Sequence, residues 1–260
     1  MIGDIKNIIV IESLGEERKT GSELYNDCIK RYIEFKQSEI THQFYETKNK
    51  ARFVELLKDY HDNLPKTQDG ILLHIEMHGD KEAGGLRFSD DSFISWTELV
   101  NLLRPINMKT CNNLYVSLAT CDGRLLYLGV DPELKSPYSC YISTSETIKP
   151  SEIIDQYLPL FEHVICYGNL IRAYRETENK ESKFFYKDSE TTFEEAFKVT
   201  ASKWKTDSSI KESIMKEAEK KIKKEGMIIP SDTEVDFIMD LALNETYKRY
   251  KKALDFTDCK

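Results

Sequence analysis

Short apolar runs of the length of a β-strand recur along the first 170 residues of the chain. The segments between several of them carry apolar residues at the three- and four-residue spacing of a helix. We predict strands at residues 7–11, 40–45, 71–77, 113–120, 138–143 and 163–167. We predict helices at residues 21–35, 50–60, 95–103 and 153–160, and a small hairpin at residues 86–94. Strands that alternate with helices favour parallel pairing, so the pattern predicts an α/β fold, a three-layer αβα sandwich around a mostly parallel sheet of about six strands.

One helix carries signals at both of its ends. Ser95 and Glu98 form the S-x-x-E capping box, whose side chains satisfy free amides in the first turn. Proline lacks the backbone N–H that a helix interior needs, so we expect Pro105 to stop this helix at about Leu103.

The strand pattern ends near residue 180. Beyond it, helical spacing dominates, at residues 193–204, 210–224 and 234–254. We therefore divide the chain into an α/β domain at residues 1–180 and a C-terminal helical extension at residues 181–260.

Composition narrows the classes of partner. The 260 residues include 37 Lys and Arg against 45 Asp and Glu, a formal net charge of -8. Nucleic acids and anionic membranes require clustered cationic surface, so neither is expected as a main partner. The chain has no apolar run long enough to span a membrane, and residues 1–11 lack the basic segment of a signal peptide. We therefore expect a cytoplasmic protein.

The six cysteines are Cys28, Cys111, Cys121, Cys140, Cys166 and Cys259. In a reducing cytoplasm they are expected to be thiols, and no C-x-x-C pair suggests a zinc or redox site. Each cysteine is therefore considered separately.

Two residues follow predicted strands at the edge of the sheet where ligands of open α/β proteins gather. His78 follows the third strand and precedes Gly79, and Cys121 follows the fourth and precedes Asp122-Gly123. If these strands are neighbours, His78 and Cys121 project from the same edge. An imidazole can take the proton of a thiol and later protonate a leaving amine. The amides of Gly79 and Cys121 are candidate donors to a developing oxyanion. The sequence thus predicts a Cys-His dyad that needs no cofactor or metal.

Residues 73–126 contain HIEMHGD, GGLRFSDDSFISWTELVNLLRPIN and NLYVSLATCDGRLL. This segment resembles the caspase-like cysteine peptidases of the caspase-hemoglobinase fold, which place an HG pair after one strand and an x-C-x-G segment after the next. The 43-residue separation of His78 from Cys121 is similar to the caspase spacing of about 50. The resemblance implies that Cys121 is the nucleophile, His78 the general acid and base, and the Gly79 and Cys121 amides the oxyanion donors. It further implies a microbial endopeptidase acting on a protein substrate in regulated proteolysis or defence, switched on by a partner or signal.

The chain departs from the family where substrate preference is set. Caspases have Q-A-C-x-G, whereas this chain has Ala119-Thr120-Cys121-Asp122-Gly123, which lacks the glutamine. Ala119 also replaces the acidic residue found two positions before the cysteine in metacaspases and paracaspases. The substrate preference of caspases and that of metacaspases and paracaspases therefore cannot be carried over to this chain. Arg18, in the loop after the first strand, is a candidate for binding an acidic substrate side chain, and Glu146 for binding a basic one. The alternative is that both are solvated surface charges.

Three alternative functions remain open. His74, Glu76 and His78 alternate on one strand face, but His74 and His78 are about 13 Å apart at roughly 3.3 Å per residue, too far for one metal shell. We interpret His74 and Glu76 as semi-buried polar residues that tune His78. Residues 15–21 (GEERKTG) occupy the position of a phosphate loop without its motif, so nucleotide binding is a weaker hypothesis. A non-catalytic binding or signalling module with the same fold is the third.

Overall fold

The structure is a computed structural model, and it describes residues 3–144, 147–178, 183–206, 209, 212–213, 215–216, 219 and 232–257. The chain forms two compact units. The first comprises Met1–Asp131, Lys135–Ser189 and Phe256–Lys260. The second comprises Pro132–Leu134 and Glu190–Asp255.

A twisted sheet runs through the first unit. Its strands are β1 (Asn7–Ser13), β2 (Thr41–Glu46), β3 (Ile71–Asp80), β4 (Gly85–Arg87), β5 (Phe93–Ser95), β6 (Leu114–Ala119), β7 (Cys140–Thr144) and β8 (Phe184–Asp188). The main order is β2-β1-β3-β6-β7-β8. The pairings from β2 to β7 are parallel, and β8 is antiparallel to β7. β4 and β5 form the predicted hairpin, and β4 also pairs antiparallel with the end of β3.

Helical segments connect the strands. They are α1 (Thr20–Glu23), a π-helical segment (Leu24–Lys30), α2 (Arg31–Lys36), α3 (Lys50–Asn63), α4 (Trp96–Lys109), a 3-10 segment (Gly123–Gly129), α5 (Pro150–Tyr167) and α6 (Leu170–Thr177). The remaining helices, α7 (Ser189–Thr206) and α8 (Asp232–Leu254), lie almost wholly in the second unit.

Helices cover both faces of the sheet, and neighbouring residues of a strand point to opposite faces. In β1, Ile9 and Ile11 face a core that α3 and α4 complete. Ile8 and Val10 face a second core that the π-helical segment and α5 complete. Burial of both faces of β1 therefore explains why its apolar residues form a continuous run and do not alternate with polar ones. The predicted three-layer α/β arrangement with a mostly parallel sheet is confirmed.

The prediction of a strand at residues 163–167 is wrong, because these residues form the last turn of α5. The apolar run HVICY has the length of a strand, but its buried members continue the helical spacing of Ile153, Tyr157 and Phe161. The helix ends at Gly168, whose φ of 61° is typical of a helix C-terminus. The sixth strand of the sheet is β8, which lies beyond the expected end of the sheet near residue 180.

The predicted end of α4 is also wrong. Its N-terminal capping box at Ser95 and Glu98 is confirmed, but the helix continues through Pro105 to Lys109. A proline inside a helix costs about 3 kcal/mol. Burial of the last turn offsets this cost, since Asn107 is buried and its side chain accepts from the Leu114 amide at 3.1 Å and donates to the Ser136 carbonyl at 2.8 Å.

The C-terminal predictions are tested in part. The predicted helices at residues 193–204 and 234–254 are confirmed within α7 and α8. The predicted helix at residues 210–224 lies largely outside the described residues. Across the parts of the chain that the structure describes, none of the helices has the length and apolar character needed to cross a membrane.

We expect Phe53→Ala to lower the free energy of unfolding by about 3–5 kcal/mol, because this fully buried ring packs on Phe88 and its removal leaves a cavity. Phe35→Ala is the matched control. The Phe35 ring is 79% exposed, so its removal is expected to change stability by less than about 0.5 kcal/mol. Urea denaturation of both variants measures the difference, and equal losses would contradict the assigned core.

Candidate active site

The two residues of the predicted dyad follow strands that are neighbours in the sheet. β3 and β6 run parallel, with Glu76 paired to Ala119 at the end of their register. His78 and Cys121 each lie two residues beyond this pair. The register therefore leads both residues toward the same edge of the sheet.

Gly79 lies against the backbone of Cys121. A Cβ atom at position 79 would be 1.8 Å from the Cys121 carbonyl oxygen and 2.7 Å from its carbon. Any side chain at position 79 would overlap this carbonyl. The absence of a Cβ therefore allows the end of β3 to approach the segment that follows β6, and the residue after His78 is in contact with Cys121.

The chain turns sharply after Cys121. Asp122 has a left-handed conformation, with φ of 56°, and the Gly123 amide donates to the Thr120 carbonyl at 3.3 Å. The Thr144 hydroxyl also donates to the Thr120 carbonyl, at 3.0 Å. β7 thus helps to fix the turn that follows the thiol.

The cysteines differ in their environment. Burial raises the pKa of the Cys28 and Cys140 thiols to about 12, so both stay protonated at neutral pH. Cys121 and Cys111 are partly exposed, and Cys166 is exposed. Cys259 lies outside the described residues. Cys121 is thus one of the accessible thiols, and the only one of these that follows β6 at the edge of the sheet.

His78 contacts the loop between β1 and α1. Its Nε2 is 3.2 Å from Glu17 Oε1, and the two side chains are 48% and 59% exposed. The neighbouring Arg18 binds Glu23 instead, with Nε donating at 3.0 Å and Nη2 at 2.6 Å. This bond lowers the pKa of Glu23. Glu146, the other candidate for substrate binding, lies outside the described residues.

A row of buried polar side chains lies deeper in the sheet, on the faces of β3 and β6 that carry Glu76 and Ala119. His74 Nε2 is 3.0 Å from Glu76 Oε1, and its Nδ1 is 2.9 Å from Ser117 Oγ. All three side chains are fully buried, more so than the semi-buried positions that the sequence predicts. The rings of Tyr157 and Phe161, from α5, cover His74 and exclude water from the row.

Glu12 is a second buried carboxylate, paired in register with Glu76. Burial, aided by the nearby Glu76 charge, raises the pKa of Glu12. Its Oε2 accepts from the amides of Gly21 at 2.9 Å and Ser22 at 3.1 Å. In a phosphate loop these first helical amides would bind the phosphate. Here they bind Glu12, which weighs against nucleotide binding by residues 15–21.

Sequence reasoning missed the contacts of Glu12, Glu17 and Thr20. The Thr20 hydroxyl donates to Glu76, so α1 is tied to both buried carboxylates. One available signal was the position of Glu12 directly after the apolar run of β1, where an acidic residue is unusual for a strand buried on both faces. Glu17 carried no comparable signal, because its contact with His78 depends on the path of a loop.

Comparisons with known proteins match the chain to solved structures but to no sequence family. No protein-family model and no curated protein sequence matches the chain. Among solved structures, the chain is similar to the Drosophila initiator caspase Dronc, with a TM-score of 0.48 and 11% sequence identity. The similarity covers 72% of this chain and 82% of that one.

We expect Gly79→Ala to destabilise the protein by more than the control Gly168→Ala. At Gly79 the added methyl overlaps a backbone carbonyl that cannot rotate away, whereas nothing lies within 4 Å of a Cβ at Gly168. At Gly168 only the left-handed conformation opposes the change, at a cost of about 1–2 kcal/mol. Thermal and urea unfolding provide the comparison, and equal costs would contradict the close approach at Gly79.

We expect Glu12→Gln to become more stable relative to the unaltered chain as pH rises from 4 to 8. The raised pKa means that folding favours the protonated carboxyl, so ionisation above that pKa costs stability, and glutamine avoids this loss. The glutamine oxygen can still accept from the Gly21 and Ser22 amides. Glu46→Gln is the control with the opposite sign, because Lys19 lowers the pKa of Glu46. Urea unfolding at several pH values tests both, and a pH-independent difference for Glu12→Gln would contradict the expectation.

Proposed function

We propose that this protein is a caspase-like cysteine endopeptidase in which Cys121 is the nucleophile and His78 the general acid and base. The observation that carries the proposal is the β3–β6 register, which ends at Glu76 and Ala119, two residues before the dyad. The contact between Gly79 and the Cys121 backbone supports it independently. The HG and C-x-G segments that suggested the family therefore belong to adjoining ends of neighbouring strands.

Acylation begins when His78 accepts the proton of the Cys121 thiol. The thiolate sulfur attacks the carbonyl carbon of the scissile peptide bond, and the carbonyl oxygen becomes an oxyanion. The backbone amides of Gly79 and Cys121 are the proposed donors to this oxyanion. Protonated His78 then gives its proton to the leaving amine, and the C–N bond breaks to leave a thioester on Cys121.

Hydrolysis of the thioester uses the same groups. His78 takes a proton from water, the resulting hydroxide attacks the thioester carbonyl, and a second oxyanion forms. Collapse of this intermediate breaks the C–S bond, releases the carboxylic acid product and restores the thiol as His78 returns the proton. These steps require no cofactor.

Arg18 and Glu146 remain the proposed substrate-binding residues. An acidic substrate side chain that binds Arg18 must displace Glu23, which holds the guanidinium through two nitrogens. Specificity for acidic residues would then require a movement of Glu23. We also infer a protein substrate, an activating partner or signal, and a cytoplasmic location.

We expect Cys121→Ala to abolish cleavage of a mixed peptide library and His78→Ala to lower kcat by about 10²–10⁴-fold, the usual contribution of a general acid and base. Both side chains are at least partly exposed, so unfolding transitions should remain close to that of the unaltered chain. A thiol-directed electrophile should label Cys121 before the other cysteines.

Cys166→Ser is the matched control, because Cys166 is an exposed thiol on α5 and its loss should leave cleavage unchanged. Cleavage that survives Cys121→Ala, with faster labelling at another cysteine, would overturn the proposal. A stably folded chain with an unreactive Cys121 would favour a non-catalytic module, and thermal stabilisation by a nucleotide would favour a nucleotide-binding protein.

A further inference from the structure

Thr144, the last residue of β7, bonds to the peptide unit that carries the Cys121 amide. Its side chain is fully buried, and its hydroxyl donates to the Thr120 carbonyl at 3.0 Å. The Thr120 carbonyl and the Cys121 N–H belong to one planar, trans peptide unit, so the two groups point in opposite directions. A bond that holds the carbonyl therefore also sets the direction of the Cys121 N–H.

The order of the strands gives this direction. β6 lies between β3 and β7. The Thr120 carbonyl receives a donor from β7, so the Cys121 N–H points to the other side, toward β3, the strand that carries His78. In the part of the chain that the structure describes, no group accepts a hydrogen bond from this amide. The Cys121 N–H is thus available to an oxyanion that forms between the ends of β3 and β6.

Thr144 is itself held in place. β7 lies between β6 and β8, and Thr144 pairs with Phe184 of β8. Its β-branched side chain has few rotamers, so the hydroxyl has little freedom to leave the carbonyl. The other donor to the Thr120 carbonyl, the Gly123 amide, lies at the longer distance of 3.3 Å and belongs to the turn itself. Thr144 is therefore the donor that ties this peptide unit to the neighbouring strand.

We propose that Thr144 is a positioning residue that directs the Cys121 N–H at the oxyanion of the proposed reaction. The inference rests on the proposed function, and it extends that function to a residue that acts through the Thr120 carbonyl. A donor stabilises an oxyanion only when it is aimed at the position where the charge develops, and loss of one such donor lowers kcat by about 10²–10³-fold. A donor that is still present but misdirected loses part of this effect.

The first test measures the direction of the Cys121 N–H bond and needs no activity. In a weakly aligned sample, the residual dipolar coupling of an amide reports the direction of its N–H bond. We expect Thr144→Val, which keeps the shape of the side chain and removes the hydroxyl, to change the coupling at Cys121. Thr144→Ser keeps a hydroxyl and should restore the coupling. An unchanged coupling in Thr144→Val would overturn the proposal, whether or not the protein cleaves peptides.

Thr110→Val is the matched control. Thr110 is also fully buried, and its hydroxyl donates to the Asn107 carbonyl at 3.2 Å, but it precedes β6, at the end of the strand away from Cys121. Both valine variants lose one buried hydrogen bond, so both should lower the melting temperature by a similar amount. Only Thr144→Val should change the coupling at Cys121. An equal change in both variants would show a general loosening of the fold and would contradict the proposal.

The second test follows cleavage and thiol reactivity in the same variants. We expect Thr144→Val to lower kcat by about 10-fold and to leave KM unchanged, because the oxyanion forms only during the reaction. Thr144→Ser should stay within about twofold of the unaltered chain. Alkylation of Cys121 by iodoacetamide forms no oxyanion, so its rate should be the same in all variants. Alkylation that slows together with cleavage in Thr144→Val would indicate a disturbed thiol and would overturn the assigned role.

The outcomes separate this inference from the proposed function. If Cys121→Ala abolishes cleavage and Thr144→Val cleaves at the full rate, the proposed nucleophile stands and Thr144 has no positioning role. If cleavage survives Cys121→Ala, the proposed function is wrong, and the dipolar coupling still shows whether Thr144 directs the Cys121 amide.

Discussion

The parallel pairing of β3 with β6 determines where every other part of the site lies. The hydrogen bonds between the two strands hold them in a single register. A slip of one residue would turn every side chain of the slipped strand to the opposite face of the sheet. The strands are joined through the β4–β5 hairpin and α4, a connection that carries no catalytic candidate of its own. Its contribution is structural, since Leu99 and Leu103 of α4 belong to the core on one face of the sheet. The two candidate residues are thus brought to one edge of the sheet by pairing between segments distant in the sequence.

Below this edge, the sheet contains the buried carboxylates of Glu12 and Glu76. Burial of a carboxylate is costly unless hydrogen bonds compensate it. Glu12 receives two backbone amides of α1, and Glu76 receives Thr20 and His74. The same bonds that satisfy these carboxylates also tie α1, and with it the preceding loop, to the interior. Loop position and carboxylate burial are therefore coupled, which links the inside of the sheet to the surface contact at His78.

The sequence was sufficient to predict the class of fold and five of the six strands in the main order of the sheet, because strands buried on both faces have continuous apolar runs. Prediction from the sequence failed where a local pattern is compatible with two structures. HVICY has the length of a strand, and only its phase relative to Ile153 and Tyr157 identifies it as a helix. Pro105 signals a helix end that tertiary burial overrides. The sequence identified His78 and Cys121 as residues that follow two strands whose pairing it left open, and the structure shows that these strands are neighbours. The contact of Glu17 could not be predicted, because it depends on loop backbone angles and on bonds to carboxylates distant in sequence.

The contact between Gly79 and the Cys121 carbonyl has a consequence for how relatives of this chain would diverge. The His78 side chain is 48% exposed, whereas Gly79 fills a space closed by backbone atoms. Selection for a stable fold therefore retains the glycine, and only selection for chemistry retains the histidine. In a lineage that loses activity and keeps the fold, the histidine would change first and the glycine would remain. A conserved glycine at this position would then be a marker of the fold, and it would carry no information about catalysis.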